Sequence, residues 1–343
     1  MKTKKILFIK RKKKSKFKFQ KELKNKSNNY YKCLLKIFIM LFLFLLYFKI
    51  KGNTKKIFEK KNLTEQKYFS CFVAKVKNEN RYIRESVEHY LSIGVDKFFF
   101  ADDNELDGEK ISDVLQDYID KGIITVKDFR GKNIGQSEYY QYELVNLKNI
   151  CKWIIYFDID EFLEFKDKNM TIKEYLSLEN FNKCEVIKIH WLVYYDNDLV
   201  YYDNRPLEQR FTKPNEKSFD NKFHKSIVRV KDYNITMWEN NSSPHQPNES
   251  LTYSCDATGR YSKQRPGILG TPNYKYCYLK HFSGKSVEEI AWKILRGGHR
   301  GIPYNYNQRL AIVDNFFKHN KVTEEKISIL EKKLNMTFPK YHK

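Results

Sequence analysis

The chain has 343 residues, 41% of them hydrophobic, enough for one large domain or two ordinary ones with a real core. Its formal charge of +22 invites a nucleic-acid reading, but residues 1–60 hold 20 Lys and Arg against Glu22 and Glu59, leaving only about +4 for the rest. A near-neutral body lacks the basic face that nucleic-acid binding needs, so that class is set aside.

Within the basic N-terminus, residues 33–48 read CLLKIFIMLFLFLLYF. The unbroken apolar part, Ile37 to Phe48, spans roughly 18 Å as a helix, short against a hydrocarbon core of about 30 Å. Extended from Tyr30 to Ile50 it is long enough, with Lys32, Lys36 and Lys49 near the ends, where long side chains reach the headgroups. No small-residue cleavage site follows, which argues against a signal peptide, and a buried core helix is the competing reading. The expectation is a transmembrane helix over 33–50 behind a cytosolic tail, 1–32, that holds 14 basic residues. The positive-inside rule then places the remainder across the membrane, as a single-pass type II protein of the secretory pathway, with the Golgi lumen as the expected compartment. Asn-x-Ser/Thr triplets begin at Asn62, Asn169, Asn234, Asn240, Asn241, Asn248 and Asn335, all beyond the anchor. Among the six cysteines, Cys33 falls in the anchor. Cys71 and Cys151 read as small buried hydrophobes, and Cys255 with Cys277 is the pair expected to bridge in an oxidising lumen.

Residues 51–67 are polar without an apolar period and read as a stem. A domain over 68–320 opens with the strand YFSCFVAKV, then a helix carrying Tyr82, Ile83, Val87, Tyr90 and Leu91 on one face and stopped by Gly94. DKFFFADDN is a second strand, GEKISDVLQDYIDKG a helix ended by Gly122, and IITVKDF a third strand. NIGQSEYYQYELVNLKNI is helical and CKWIIYF is the fourth strand. Alternation at about 30 residues predicts βα crossovers, an α/β fold with a mostly parallel sheet, and ligands at the carboxyl ends of the strands. Both acid clusters, ADDN and FDIDE, stand at such ends. Beyond residue 165 the pattern loosens. Thr171/Glu174 caps a short helix, CEVIKIHWLVYY is a strand, and within the irregular 203–275 only KFHKSIVRV is extended, so this stretch reads as a lid or binding loop. YKYCYLKHF returns as a strand, Ser286 with Glu289 caps SVEEIAWKILRG, and 321–343 holds a final amphipathic helix.

Asp158-Ile159-Asp160 projects two carboxylates to the same side of an extended segment, and a hard divalent cation that also holds phosphate oxygens suits such a pair. Ionised acids behind an apolar strand resist desolvation, so a cation is expected to answer them. The blocks KNENRYIRESVEHYLSIGVDKFFFADDNELDG, W-x5-DIDEF, KFHKSIVRV and HFSGKSVEEIAWKILRG together resemble glycosyltransferase family 92 and related family-2-like sugar transferases, over roughly residues 70–300. The resemblance implies a GT-A fold, a nucleotide-sugar donor such as a UDP-sugar, a glycan acceptor, manganese or magnesium, and inversion at the anomeric carbon. It assigns Asp158 and Asp160 to the metal and diphosphate, His281 as a further metal ligand, Lys77, Asn78 and Glu79 to the loop after the first strand, and Asp102 and Asp107 to the nucleoside block. Glu105-Leu106 stands where the family carries Ser-Thr, and Phe282 where it carries Tyr.

Charge at the departing diphosphate is the requirement that Lys285, Arg296 and Arg300 could meet; a favourable charge at a helix C-terminus is the structural reading of the two arginines. Lys222, His224 and Lys225 read as substrate- or donor-binding. The general base is sought in the irregular region, with Glu208 first and His245 second. A haloacid-dehalogenase-type phosphatase would carry its D-x-D on the first strand and a small residue at Phe162, and neither holds. A membrane-anchored binding protein that keeps the fold without turnover is the alternative function.

Overall fold

The first two helices end where a glycine stops them. A computed structural model describes residues 66–132, 134–230, 253–262, 270–298 and 302–342. Strand β1 (Tyr68–Val76) leads into helix α1 (Asn80–Ser92), β2 (Lys97–Asp102), α2 (Ser112–Asp120), β3 (Ile124–Asp128), α3 (Gln136–Leu147) and β4 (Cys151–Tyr156). After α1, Gly94 adopts φ +89° and the Val95 N–H bonds back to the Tyr90 carbonyl; after α2, Gly122 at φ +70° lets the Ile123 N–H reach Tyr118. Both positions need the left-handed conformation that glycine takes at least cost.

The four strands are parallel, in the order β3-β2-β1-β4. Helices cover both faces, which is why β2 reads KFFFAD and is buried throughout. On one face Tyr82, Ile83, Val87 and Tyr90 of α1 and Leu115 of α2 pack against Phe72, Phe98 and Phe100. On the other, Tyr139, Tyr140 and Leu144 of α3 pack against Val73, Ile154 and Tyr156.

The second half corrects the expectation of a mostly parallel sheet. It contributes β5 (Glu161–Phe165), α4 (Ile172–Leu176), β6 (Val186–Val193), α5 (Leu207–Arg210), β7 (His224–Arg229), β8 (Ser254–Asp256) and β9 (Cys277–His281). The full order is β3-β2-β1-β4-β7-β6-β9-β5, with β8 on β6. Strand β7 runs antiparallel to both β4 and β6, and β5 is antiparallel to β9. The sheet is therefore mixed: its βα half is parallel, and its loop-connected half is not. Strand β5 and helix α7 (Tyr306–His319), neither of which the sequence reading marked, complete it with α6 (Val287–Arg296) and α8 (Glu324–Leu334). Val287 and Ile290 of α6, Val313 and Phe316 of α7, and Ile327 and Leu330 of α8 form a separate core, so the C-terminal helix is packed onto the domain. The capping boxes at Thr171/Glu174 and Ser286/Glu289 are formed.

Cys71 pairs with Cys151 and Cys184 with Cys255, while Cys277 is a buried thiol. This overturns both cysteine expectations. Strands β1 and β4 are hydrogen-bonded neighbours, and β8 lies on β6 beside Cys184, whereas Cys277 starts β9 in the core near Tyr175. The expected tail and anchor, and residues 51–65 of the stem, lie outside the described residues; among the described ones no helix is long and apolar enough to cross a membrane. Thiol labelling of the unfolded, non-reduced protein should find Cys277 reactive and Cys184 protected; the reverse would restore a Cys255–Cys277 bridge. Cys184→Ser should cost about 2–5 kcal/mol of stability in denaturant unfolding.

Candidate functional site

In this sheet the strand order reverses at β1: the chain proceeds outward through β2 and β3, then returns to place β4 on β1's other side. A crevice opens beyond the carboxyl ends at such a switch point. Here it is a cleft of about 750 Å³, lined by Lys77–Glu79 after β1, Asp158 and Asp160 after β4, His281 at the end of β9, Lys285, and the face of α6 that carries Glu289, Lys293 and Arg296.

Two buried lysines answer the acids. Phe157 and the residues after it continue from β4, and because β7 runs antiparallel with Tyr156 opposite Ser226, Lys225 lies beside them. Its Nζ is 2.6 Å from Asp158 Oδ2 and 3.7 Å from Glu161 Oε1, with only 1% of the side chain exposed. Gln136, the first residue of α3, donates to Asp158 Oδ1 at 3.1 Å. Lys285, in the turn between β9 and α6, sits 2.5 Å from Asp160 Oδ2. Burial works against the Asp160 charge, but the Lys285 ammonium outweighs it and holds the carboxyl well below the usual range. Burial also raises the Glu161 carboxyl well above its ordinary value, against the opposing pull of Lys225. Glu161 fixes the turn, accepting from the Asp158 N–H at 2.9 Å, so the third acid of DIDE serves the first.

His281 reaches the acids through strand pairing. Glu161 is opposite His281 in the β5–β9 ladder, and the Phe282 N–H bonds to the Asp160 carbonyl at 3.1 Å. The ring packs on Trp191 with centroids 4.1 Å apart, and burial lowers its pKa to about 3, which leaves a neutral imidazole. Its Nδ1 is buried without a hydrogen-bond partner. Among the described residues no three Asp, Glu, His or Cys side chains are grouped closely enough to enclose an ion as they stand. In kind, though, two carboxylates and a neutral imidazole on one cleft wall are the donors a divalent ion takes, and the two lysines hold the carboxylate oxygens it would use.

The opposite wall is α6. Arg296 donates to the Lys77 carbonyl at 2.9 Å and to Glu79 at 3.0 Å, which ties the helix to the loop after β1. In that loop Asn78 takes φ +52° and its N–H bonds to Asn104 at 2.6 Å. Glu289 accepts from Arg210 at 2.8 Å and Tyr82 at 2.6 Å, joining α5, α1 and α6.

Of the residues proposed from sequence, the cleft therefore gathers Lys77, Asn78, Glu79, Asp158, Asp160, His281, Lys285 and Arg296. Asp102 is elsewhere: buried, it accepts from the Ile111 and Asn104 N–H groups and fixes the loop after β2. Asp107 is exposed, and that loop instead offers Glu105 and Glu109 to the cleft. Glu208 is paired with Lys280 at 2.6 Å and is not among the described residues that line the cleft. His245 and Arg300 lie outside the described residues. Lys75, Gln136, Trp292 and Lys293 were not anticipated; for Lys293 the signal is helical spacing, since Glu289, Lys293 and Arg296 share a face.

Lys225→Met should leave Asp158 and the buried Glu161 without their shared cation and cost more in denaturant unfolding than the roughly 1 kcal/mol or less of an exposed pair. A cost within the exposed range would show that the acids are not held by this lysine.

Comparison with known proteins adds the family. The description of glycosyltransferase family 92 matches residues 67–265. A glycosyltransferase family 92 protein from Oryza sativa subsp. japonica is 27% identical over 106 residues, covering 31% of this chain and 18% of that protein; one from Ricinus communis is 24% identical over 98 residues, covering 29% and 17%. The chain thus spans less than a fifth of the length of these relatives. Among solved structures, S. aureus TarS 1-349 in complex with UDP aligns over 78% of this chain and 81% of that one, at 12% identity and a TM-score of 0.35. A mannosyltransferase from Pyrobaculum calidifontis in complex with GDP-Man and Mn2+ aligns over 79% and 75%, at 7% identity and a TM-score of 0.36. With more than half of its length matched by the family description, the chain belongs to glycosyltransferase family 92.

Proposed function

We propose that the protein is a glycosyltransferase of GT-A architecture that moves a sugar from a nucleotide-sugar donor, a UDP-sugar first, to a glycan hydroxyl with inversion, using manganese or magnesium. The observation that carries this reading is the convergence, at a strand-order switch point, of Asp158, Asp160 and a neutral His281 with Lys285 and Arg296. Family membership supports the activity, and a cleft of about 750 Å³ has the volume of a site for a ligand of this size.

In such a transfer the acceptor oxygen bonds to the anomeric carbon, the bond to the diphosphate breaks with its electron pair going to the phosphate oxygen, and the acceptor proton passes to a base. Asp158, Asp160 and His281 would hold the divalent ion, which when bound supplies positive charge to the diphosphate. Lys285, seated on Asp160 in the same cleft, would add positive charge for the leaving diphosphate. Glu79 and Arg296 hold the loop after β1 against α6, so the walls that grip the donor are fixed before it arrives. The base is assigned to His245 or Glu208, and the Lys280 pair holding Glu208 off the cleft favours His245.

The reading places this domain in the lumen of the secretory pathway, anchored by residues 33–50. Two disulfides and the exposed positions of Asn169 and Asn335 support an oxidising, glycosylating compartment.

Asp158, with 36% of its side chain exposed, is the acid to substitute without unfolding the domain. Calorimetry of UDP should show affinity that rises with manganese in the wild type, and Asp158→Asn should abolish that dependence at a temperature where its unfolding curve shows the variant still folded. An equal manganese effect in both proteins would remove these acids from the site.

A further inference from the structure

Six cations line the cleft: Lys75, Lys77, Arg81, Lys285, Lys293 and Arg296. Four are neutralised in place, Lys75 by Asp103 at 2.5 Å, Lys77 by Glu105 at 2.7 Å, Lys285 by Asp160 at 2.5 Å and Arg296 by Glu79 at 3.0 Å. Arg81 is exposed and its guanidinium lies 4.1 Å from the centre of the Trp292 ring. Lys293 differs from all of these. It is partly buried on the second turn of α6, yet among the described residues it has neither a hydrogen bond nor a carboxylate within ion-pair distance.

Its surroundings are those of a cation awaiting an anion. Burial depresses its ammonium below the ordinary lysine range, and Lys285 and Arg296 add repulsion that Asp160 and Glu79 only partly offset. A structural lysine would be expected to fold onto one of the nearby acids, as four of its neighbours do, or onto a ring, as Arg81 does. An unpaired ammonium away from water is unfavourable, and the cost is recovered when an anion enters. The same helical face carries Arg296 one turn on, and the acids proposed to hold a divalent ion lie across the cleft.

We infer that Lys293 binds the terminal phosphate of the donor's diphosphate, as the one described cleft cation that needs no rearrangement to do so. This rests on the nucleotide-sugar reading above and names a residue for it. Arg296 and Lys285, by contrast, each already hold a carboxylate.

The test is calorimetry on the full chain with UDP, GDP, UMP and GMP, each with and without manganese. Lys293→Met is expected to weaken the diphosphate that binds by roughly tenfold or more, as loss of a charge-assisted hydrogen bond implies, and to leave the matching monophosphate within a few-fold. Lys293→Arg should retain most of the diphosphate affinity. The unfolding midpoint of Lys293→Met should be unchanged or higher, because an unpaired ammonium has been removed; a structural role would lower it. Lys293→Gln serves as the second variant if the methionine protein does not fold. Equal loss for diphosphate and monophosphate, or no loss for either, would overturn the assignment while leaving the proposed function standing. A wild-type protein that binds none of the four nucleotides would overturn both.

Discussion

Everything in this cleft depends on keeping carboxylates charged at the end of a buried strand. The run WIIYF of β4 and Phe157 is fully enclosed, and Asp158, Asp160 and Glu161 follow it within four residues. Left alone, such acids would protonate or pull the strand end toward water. Lys225 beside Asp158 and Lys285 beside Asp160 counter this for the two aspartates, and they come from two different places in the chain. One is delivered by an antiparallel strand beside β4 and the other by the turn that precedes α6. The mixed half of the sheet, through its antiparallel strand β7 and the turn after β9, is thus what makes the acid pair tenable at the end of the parallel half.

The same constraint links stability to chemistry. The ion pair that keeps Asp160 ionised also occupies one of the carboxylate oxygens that a divalent ion would use, so a metal bound there would compete with the Lys285 ammonium. The walls are held by other contacts. Glu289 is held at once by Arg210, Tyr82 and its own capping Ser286, and Arg296 by Glu79 and the Lys77 carbonyl. Helix α6 is backed by its own apolar core with α7 and α8. The long side chains of the site thus stand inside a frame that is held by three helices and the sheet.

Much of this was legible in the sequence, because the informative signals were local. Apolar periodicity and the stopping glycines Gly94 and Gly122 marked three crossovers, and the position of FDIDE after an apolar strand marked the site. What escaped was set by pairing between distant segments. EFLEF is a strand because it finds β9 more than 100 residues later, and nothing within those five residues says so. The cysteine partners follow strand adjacency, which spacing along the chain does not encode. Asp102 looked like a ligand because it is an acid at a strand end, yet its oxygens are consumed by two backbone N–H groups of its own loop. Lys293 and helix α7 were different: the helical spacing with Arg296 and the Asn305/Gln308 capping box were present to be read.

The most direct measurement is a crystal structure of the protein soaked with a uridine diphosphate and manganese, with the metal located by anomalous scattering. The account predicts an anomalous peak within coordination distance of Asp158, Asp160 and His281, a phosphate oxygen on the same ion, and the Lys285 ammonium moved off Asp160 toward the diphosphate. A peak elsewhere, with both lysines still seated on their aspartates and the nucleotide bound away from them, would contradict it.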